Sequence, residues 1–177
     1  MKGISIIVTF PDDGATKLAA RFNRIRRDYD VAINAKDVPD MVAQIEKAVS
    51  RVQRKIRSID IAGHGSPGSA VGRIDTDVLK NENDPSTMAL GRLQELWAED
   101  NVGVTLRVCN TARYDEGKEF LGWLAKTIKA KVIAWDDFYE VIPMGKEYTA
   151  TPDGKVTQSG DTGRTSIWFR RILGRKD

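Results

Sequence analysis

The sequence predicts a single α/β domain with a mostly parallel central sheet, helices on both faces and a small antiparallel C-terminal addition. Short β-branched apolar runs alternate along the chain with longer segments whose apolar residues recur at helical spacing. That alternation is typical of βαβ units, whose strands run parallel. The length of 177 residues fits one domain, which we assign to residues 1–177.

Five apolar runs predict the parallel strands, because each is rich in β-branched residues and bounded by turn or helical segments. Four segments with apolar residues at helical spacing predict amphipathic helices. The strands are GISIIVTF (3–10), DYDVAINA (28–35), SIDIAG (58–63), VGVTLRV (102–108) and KVIAW (131–135), and the helices are 16–27, 38–56, 86–100 and 115–130.

The remaining segments predict loops and short antiparallel strands. VLKNENDPSTM (78–88) is polar and rich in turn residues, so we expect a long loop there. SAVGRID (69–75) predicts a small hairpin. The C-terminal addition is predicted from FYEVIP (138–143), a turn at TPDGK (151–155) and a last strand at TSIWFRRIL (165–173).

The composition excludes several classes of protein. A hydrophobic fraction of 41% and a charged fraction of 30% are typical of a soluble globular chain. One cysteine cannot form an internal disulfide, and one cysteine with one histidine cannot form a four-ligand zinc site, so we expect no metal. No apolar run approaches the ~20 residues of a membrane-spanning helix. The first residues, MKGISIIVTFPDDG, lack the pattern of a signal peptide. We therefore expect no membrane association and a cytoplasmic protein, or one exported without a classical signal peptide.

The positive charge is concentrated in three clusters, RFNRIRR (21–27), RVQRKIR (51–57) and RRILGRK (170–176). Two lie on predicted helices at spacings that favour solvated faces. The alternative is an anion site, and the sequence does not show whether the clusters share a surface. A net charge of +3 is weak evidence for nucleic acid, and aromatic residues do not interleave with the charges, so that partner is not expected.

The only histidine and the only cysteine follow two of the predicted strands. His64 comes directly after the third strand, and Cys109 comes directly after the fourth. Ligands bind in such sheets at the carboxyl ends of the strands, so neighbouring strands would bring the two residues together. A thiolate is a strong nucleophile, and an imidazole can take its proton and then protonate a leaving amine. The backbone amides of Gly65 and Cys109 are the candidate oxyanion donors. The alternative is a cysteine buried in the core and a histidine without a chemical role.

The sequence blocks around His64 and Cys109 resemble the caspase–hemoglobinase superfamily (clan CD) of cysteine peptidases, in which the histidine precedes the cysteine. The matching blocks are IDIAGHGSPG (59–68) and VTLRVCNTA (104–112), and the segment 112–137 is similar to bacterial members. The resemblance implies a caspase-like fold over most of residues 3–137. It also implies hydrolysis of peptide bonds through an acyl-enzyme, with His64 as acid and base and Cys109 as nucleophile. The substrate would be a protein or peptide bound in an extended form.

Two alternatives to a peptidase stay open at this point. One is a catalytically silent caspase-like domain used for binding or signalling, in which Cys109 is buried and unreactive. The other is a flavodoxin-like or Rossmann-like module, which is disfavoured because no G-x-G-x-x-G follows the first strand and no Walker A sequence is present. No cofactor is implied. An anionic activator such as an inositol phosphate, or calcium, has no support in the residues. The oligomeric state is open.

Acidic residues offer three further candidates. Asp136 and Asp137 follow the fifth strand and are a candidate substrate pocket that would bind a basic side chain, the alternative being a loop or helix cap. Asp75 and Asp77 form a similar pair, more typical of turns and caps than of a calcium site. Asp60 lies inside the third strand, where it is either half exposed or buried and paired, and it is too far along the strand to orient His64 directly.

Overall fold

The computed structural model describes residues 3–10, 29–71, 74–137 and 145–161. Seven strands form one sheet in the order β10-β9-β8-β7-β3-β1-β2, in which β2, β1, β3, β7 and β8 run parallel and β9 and β10 are antiparallel. The predicted α/β class with a mostly parallel sheet is confirmed. The strands are β1 (Ile4–Thr9), β2 (Val31–Asn34), β3 (Ile56–Ala62), β4 (Gly65–Ser66), β5 (Ser69–Ala70), β6 (Ile74–Asp75), β7 (Gly103–Arg107), β8 (Val132–Trp135), β9 (Lys146–Ala150) and β10 (Val156–Asp161).

The described helices pack against one another and against one face of the sheet. They are α1 (Val38–Val52), α2 (Thr76–Lys80), α3 (Pro85–Arg92) with a following 3-10 turn (Leu93–Leu96), and α4 (Tyr114–Ile128). The helix predicted over 16–27 lies outside the described residues. None of the helices that the structure describes is long and apolar enough to cross a membrane.

Alternation along the parallel strands separates the two faces of the sheet. Side chains of successive strand residues point to opposite faces, so one set enters the main core with the helices. This core set continues past the end of β7, because Val108 is fully buried in the same cluster as Leu106. The other face carries a second, smaller cluster of Ile7 and Ala62, against which Tyr29 packs. On strands β1, β3 and β7 the core set is Ile4, Ile6, Val8, Ile56, Ile59, Ile61, Val104 and Leu106.

Capping residues define both ends of helix α1. The Asp37 carboxylate accepts a hydrogen bond from the Asp40 amide at 2.8 Å, so it caps the first turn. The helix ends at Gln53, which adopts a left-handed conformation with φ 52°. The helix predicted over 38–56 is therefore shorter than expected, and β3 begins at Ile56.

The loop predicted over 78–88 is limited to residues 81–84, because helices occupy both ends of that range. Helix α2 extends to Lys80, and α3 begins at Pro85. The Asp84 carboxylate accepts from the Ser86 amide at 2.7 Å, and Pro85 occupies the first turn, where its missing N–H costs nothing. The polar segment is thus a helix end and a helix start.

The antiparallel part of the structure agrees with the sequence in position but not in every strand. The hairpin expected in 69–75 is present as β5 and β6, which form a three-stranded sheet with β4. The turn expected at 151–155 is also present and joins β9 to β10, two strands that the sequence did not predict. The predicted segments 138–143 and 165–173 lie outside the described residues.

Candidate functional site

The sheet brings the segments of His64 and Cys109 side by side. Strands β3 and β7 are parallel neighbours, with Ala62 opposite Arg107 in the last paired position. Gly63 donates its amide hydrogen to the Arg107 carbonyl at 3.5 Å, which continues the pairing by one residue. His64 and Cys109 are each two residues beyond that last pair, at the same edge of the sheet. The sequence left open whether the two strands are neighbours, and the structure shows that they are.

Gly65 lies directly against the backbone of the loop that follows β7 and contains Cys109 (residues 108–113), which we call the cysteine loop. A Cβ atom at this position would be 2.6 Å from the Cys109 carbonyl oxygen and 2.6 Å from Thr111 Oγ1. Only glycine therefore allows the segment after β3 to approach the segment after β7 this closely. The sequence suggested Gly65 as a place for a substrate to approach, and the structure adds that the close neighbour is Cys109 itself.

Thr111 joins the loop after β7 to the hairpin that follows His64. It is fully buried, and its hydroxyl donates to the Ser69 carbonyl at 3.0 Å, while its own carbonyl accepts from the Gly68 amide at 3.4 Å. On the histidine side, the His64 carbonyl accepts from the Val71 amide at 2.8 Å. These bonds tie the backbone on both sides of the pair into one unit, and the sequence offered no signal for the role of Thr111.

The other side of the cysteine loop is held by the end of β8. The Asn110 amide donates to the Asp137 carbonyl at 3.0 Å, and the Ala112 amide donates to the Trp135 carbonyl at 3.1 Å. Cys109 is partly buried between these attachments, while His64 is exposed. Both residues thus lie at the carboxyl edge of the sheet, the histidine on the surface and the cysteine partly buried.

Strained backbone is concentrated around this edge. Five non-glycine residues that the structure describes have a positive φ, and two of them end helices, where that conformation is common. The other three border the site: Val71 (φ 53°), Asn110 (φ 57°) and Tyr114 (φ 60°). Positive φ is uncommon for such residues, and strained conformations cluster at active sites.

The structure places Asp136 and Asp137 at the end of β8, next to the cysteine loop. The Asp136 carboxylate has a hydrogen-bond partner at the start of β9. The Asp136 carboxylate accepts from the Lys146 amide at 2.7 Å, and the Asp136 amide donates to the Lys146 carbonyl at 3.1 Å. Asp136 thus closes the connection from β8 to β9, while the Asp137 backbone supports Asn110. A role of this pair in binding a basic substrate side chain stays a prediction.

Asp60 is buried and paired, one of the two outcomes that the sequence left open. It is 5% exposed, and its carboxylate accepts from Arg107 Nε and from the Tyr29 hydroxyl. Burial, together with the neighbouring Asp60 carboxylate, raises the pKa of Tyr29 well above its ordinary value, so this hydroxyl stays a neutral donor at physiological pH. The sequence did not show this network, because Arg107 and Asp60 meet only through the register of β3 and β7.

The remaining charged candidates have ordinary partners within the fold. Asp75 caps α2 by accepting from the Val78 amide at 2.8 Å, and Asp77 lies in the first turn of that helix. Among the described residues, no group of three or more histidine, cysteine and acidic side chains is arranged to hold a metal. In the basic cluster 51–57, Arg54 donates to the Gly3 carbonyl at 3.0 Å. The clusters 21–27 and 170–176 lie outside the described residues.

Fold and site together define an α/β protein that presents a histidine and a cysteine on adjacent strand ends. The chain belongs to the family described as Domain of unknown function (DUF4347), which it matches over residues 8–139. The matched span covers about three quarters of the chain and includes both His64 and Cys109, while β9 and β10 lie beyond it. No curated protein and no solved structure was found to match the chain.

Proposed function

We propose that this protein is a caspase-like cysteine peptidase in which His64 and Cys109 form the catalytic dyad. The proposal rests mainly on the pairing of β3 with β7. Because these two strands are parallel neighbours, the only imidazole and the only thiol of the chain follow them at the same edge of the sheet. The close approach of Gly65 to the Cys109 carbonyl and the strained residues around the edge support it further.

The proposed reaction uses groups of this chain alone. His64 takes the thiol proton of Cys109, and the thiolate attacks the carbonyl carbon of the scissile peptide bond. The amide hydrogens of Gly65 and Cys109 stabilise the oxyanion of the tetrahedral intermediate. His64 then protonates the leaving amine, which departs as the C–N bond breaks and an acyl-enzyme remains. Water, activated by His64, hydrolyses the thioester and returns the thiol.

The proposal predicts an activated cysteine. Because the chain has one cysteine, iodoacetamide labelling of the folded protein reports on Cys109 alone. We expect fast labelling with a pH midpoint well below the ~8.5 of an ordinary thiol, and a slower reaction in the His64→Ala variant. The measurement is the labelling rate from pH 5 to 9, followed by mass spectrometry, with glutathione as the reference thiol. Slow labelling that is unchanged in His64→Ala would contradict the dyad and favour a catalytically silent domain.

A further inference from the structure

Arg107 and Asp60 lie on one face of the sheet, next to the strand end that leads to the candidate nucleophile. Arg107 is the last residue of β7, two residues before Cys109, and Val108 between them enters the main core with Leu106. The ion pair between Arg107 and Asp60 confirms that β3 and β7 present these two side chains to one face. Cys109 lies beyond the strand end, in the bend of residues 108–110, and two residues along the chain keep its Cα within ~7 Å of the Arg107 Cα.

The pair is a fixed arrangement of two opposite charges. The Asp60 side chain is 8% exposed and the Arg107 side chain 25%, so neither charge is strongly screened by water. Tyr29 completes the network as a donor to Asp60, and its raised pKa keeps it uncharged at neutral pH. The network therefore presents one positive and one negative charge. Arg107 is two residues before Cys109 in the chain, and Asp60 pairs with Thr105, four residues before Cys109.

We propose that the Asp60–Arg107 pair sets the acidity of the Cys109 thiol, with Arg107 as a positioning residue that stabilises the thiolate and Asp60 as the group that limits this effect. This inference rests on the proposed function, in which Cys109 is the nucleophile. A positive charge favours the ionised thiol and a negative charge disfavours it. Each residue thus acts on the thiol with the opposite sign.

The two charges predict shifts in opposite directions when each is removed separately. Arg107→Met leaves the Asp60 carboxylate uncompensated, so we expect the pH midpoint of Cys109 labelling to rise by about half a unit or more. Asp60→Asn leaves the guanidinium uncompensated, so the midpoint falls by a similar amount. Both variants break the same ion pair, so a purely structural role moves both midpoints in one direction.

The other charged groups near Cys109 are the same in both variants. Their effects on the pH midpoint of Cys109 labelling therefore cancel when the variants are compared. They lie on the segments packed against the cysteine loop: the loop after β3, the start of α4 and the end of β8. These groups are His64, Arg113, Glu116, Asp136 and Asp137.

The experiment measures the iodoacetamide rate against pH for the full chain, Arg107→Met, Arg107→Lys and Asp60→Asn, each also in the His64→Ala background. Arg107→Lys keeps the charge and should keep the midpoint near that of the unchanged protein. Shifts of opposite sign support the inference, and shifts of equal sign, or none, overturn it. If the unchanged protein itself labels like glutathione and ignores His64→Ala, the proposed function fails. In that case the midpoint shifts of Arg107→Met and Asp60→Asn in the His64→Ala background still test whether the two charges act on the thiol.

Discussion

Under the proposed function, replacing Gly65 by alanine is expected to reduce kcat/KM for peptide cleavage by about 100-fold or more, because even ~1 Å of misplacement near reacting groups has effects of that size. The new Cβ would lie 2.6 Å from the Cys109 carbonyl oxygen and 3.0 Å from Val108 Cβ. A backbone oxygen cannot rotate away as a flexible side chain does, so the segments after β3 and β7 must separate. That separation moves the His64 imidazole away from the thiol.

The matched control is Gly91→Ala in α3, where the nearest atom to a new Cβ is Gln94 Nε2 at 3.7 Å. Alanine is a better helix former than glycine, so this variant should keep its activity and gain up to about 1 kcal/mol in free energy of unfolding. Activity is measured as kcat/KM on a fluorogenic peptide, and stability by urea denaturation. A Gly65→Ala variant as active as Gly91→Ala would show that the close approach is not required.

Breaking the buried ion pair is expected to have the largest effect on stability among the changes considered. Arg107→Met leaves the Asp60 carboxylate buried with only Tyr29 as its described neutral donor. Removing one partner of a buried pair costs about 3–5 kcal/mol, and the partial exposure of Arg107 favours the lower end, about 3 kcal/mol. The measurement is the free energy of unfolding from urea denaturation at neutral pH.

The control is an ion pair at the surface. Lys80 Nζ and Glu119 Oε1 are 2.7 Å apart, and the two side chains are 42% and 49% exposed. Exposed pairs contribute little, so Lys80→Met should change the free energy of unfolding by less than about 0.5 kcal/mol. Equal effects of Lys80→Met and Arg107→Met would mean that the Asp60 network does not stabilise the fold.

The sequence predicted the parallel strands and placed His64 and Cys109 at the carboxyl ends of two of them, because both follow from local patterns. Buried parallel strands are short continuous apolar runs, and the carboxyl ends of parallel strands share one edge. The five predicted runs contain β1, β2, β7 and β8 and all of β3 but its first two residues, Ile56 and Arg57.

Elements without an apolar pattern escaped prediction. Strand β10 (VTQSGD) is mostly exposed at the sheet edge, so it lacks the alternation that marks a half-buried strand. The short helix α2 (Thr76–Lys80) also escaped prediction, because it has only one buried residue, Leu79. The helix predicted over 86–100 begins one residue earlier, at Pro85, directly after the Asp84 cap.

The contacts that define the site depend on register and not on local pattern. Arg107 reaches Asp60 only because Ala62 pairs with Arg107. The bond from Thr111 to Ser69 joins residues 42 positions apart in the chain, and no periodicity encodes such a pairing. The residue types alone suggested a histidine–cysteine dyad. The residues that support it could be identified only once the fold was known.

Peptide hydrolysis by Cys109 with His64 is the function proposed for this chain. The most direct measurement is cleavage of a positional-scanning library of fluorogenic tetrapeptides, covering every P1 residue, by the unchanged protein, Cys109→Ala and His64→Ala. We predict cleavage with a defined P1 preference, none above background for Cys109→Ala, and at least a 100-fold loss for His64→Ala. No cleavage of any library member above the Cys109→Ala background would contradict the account.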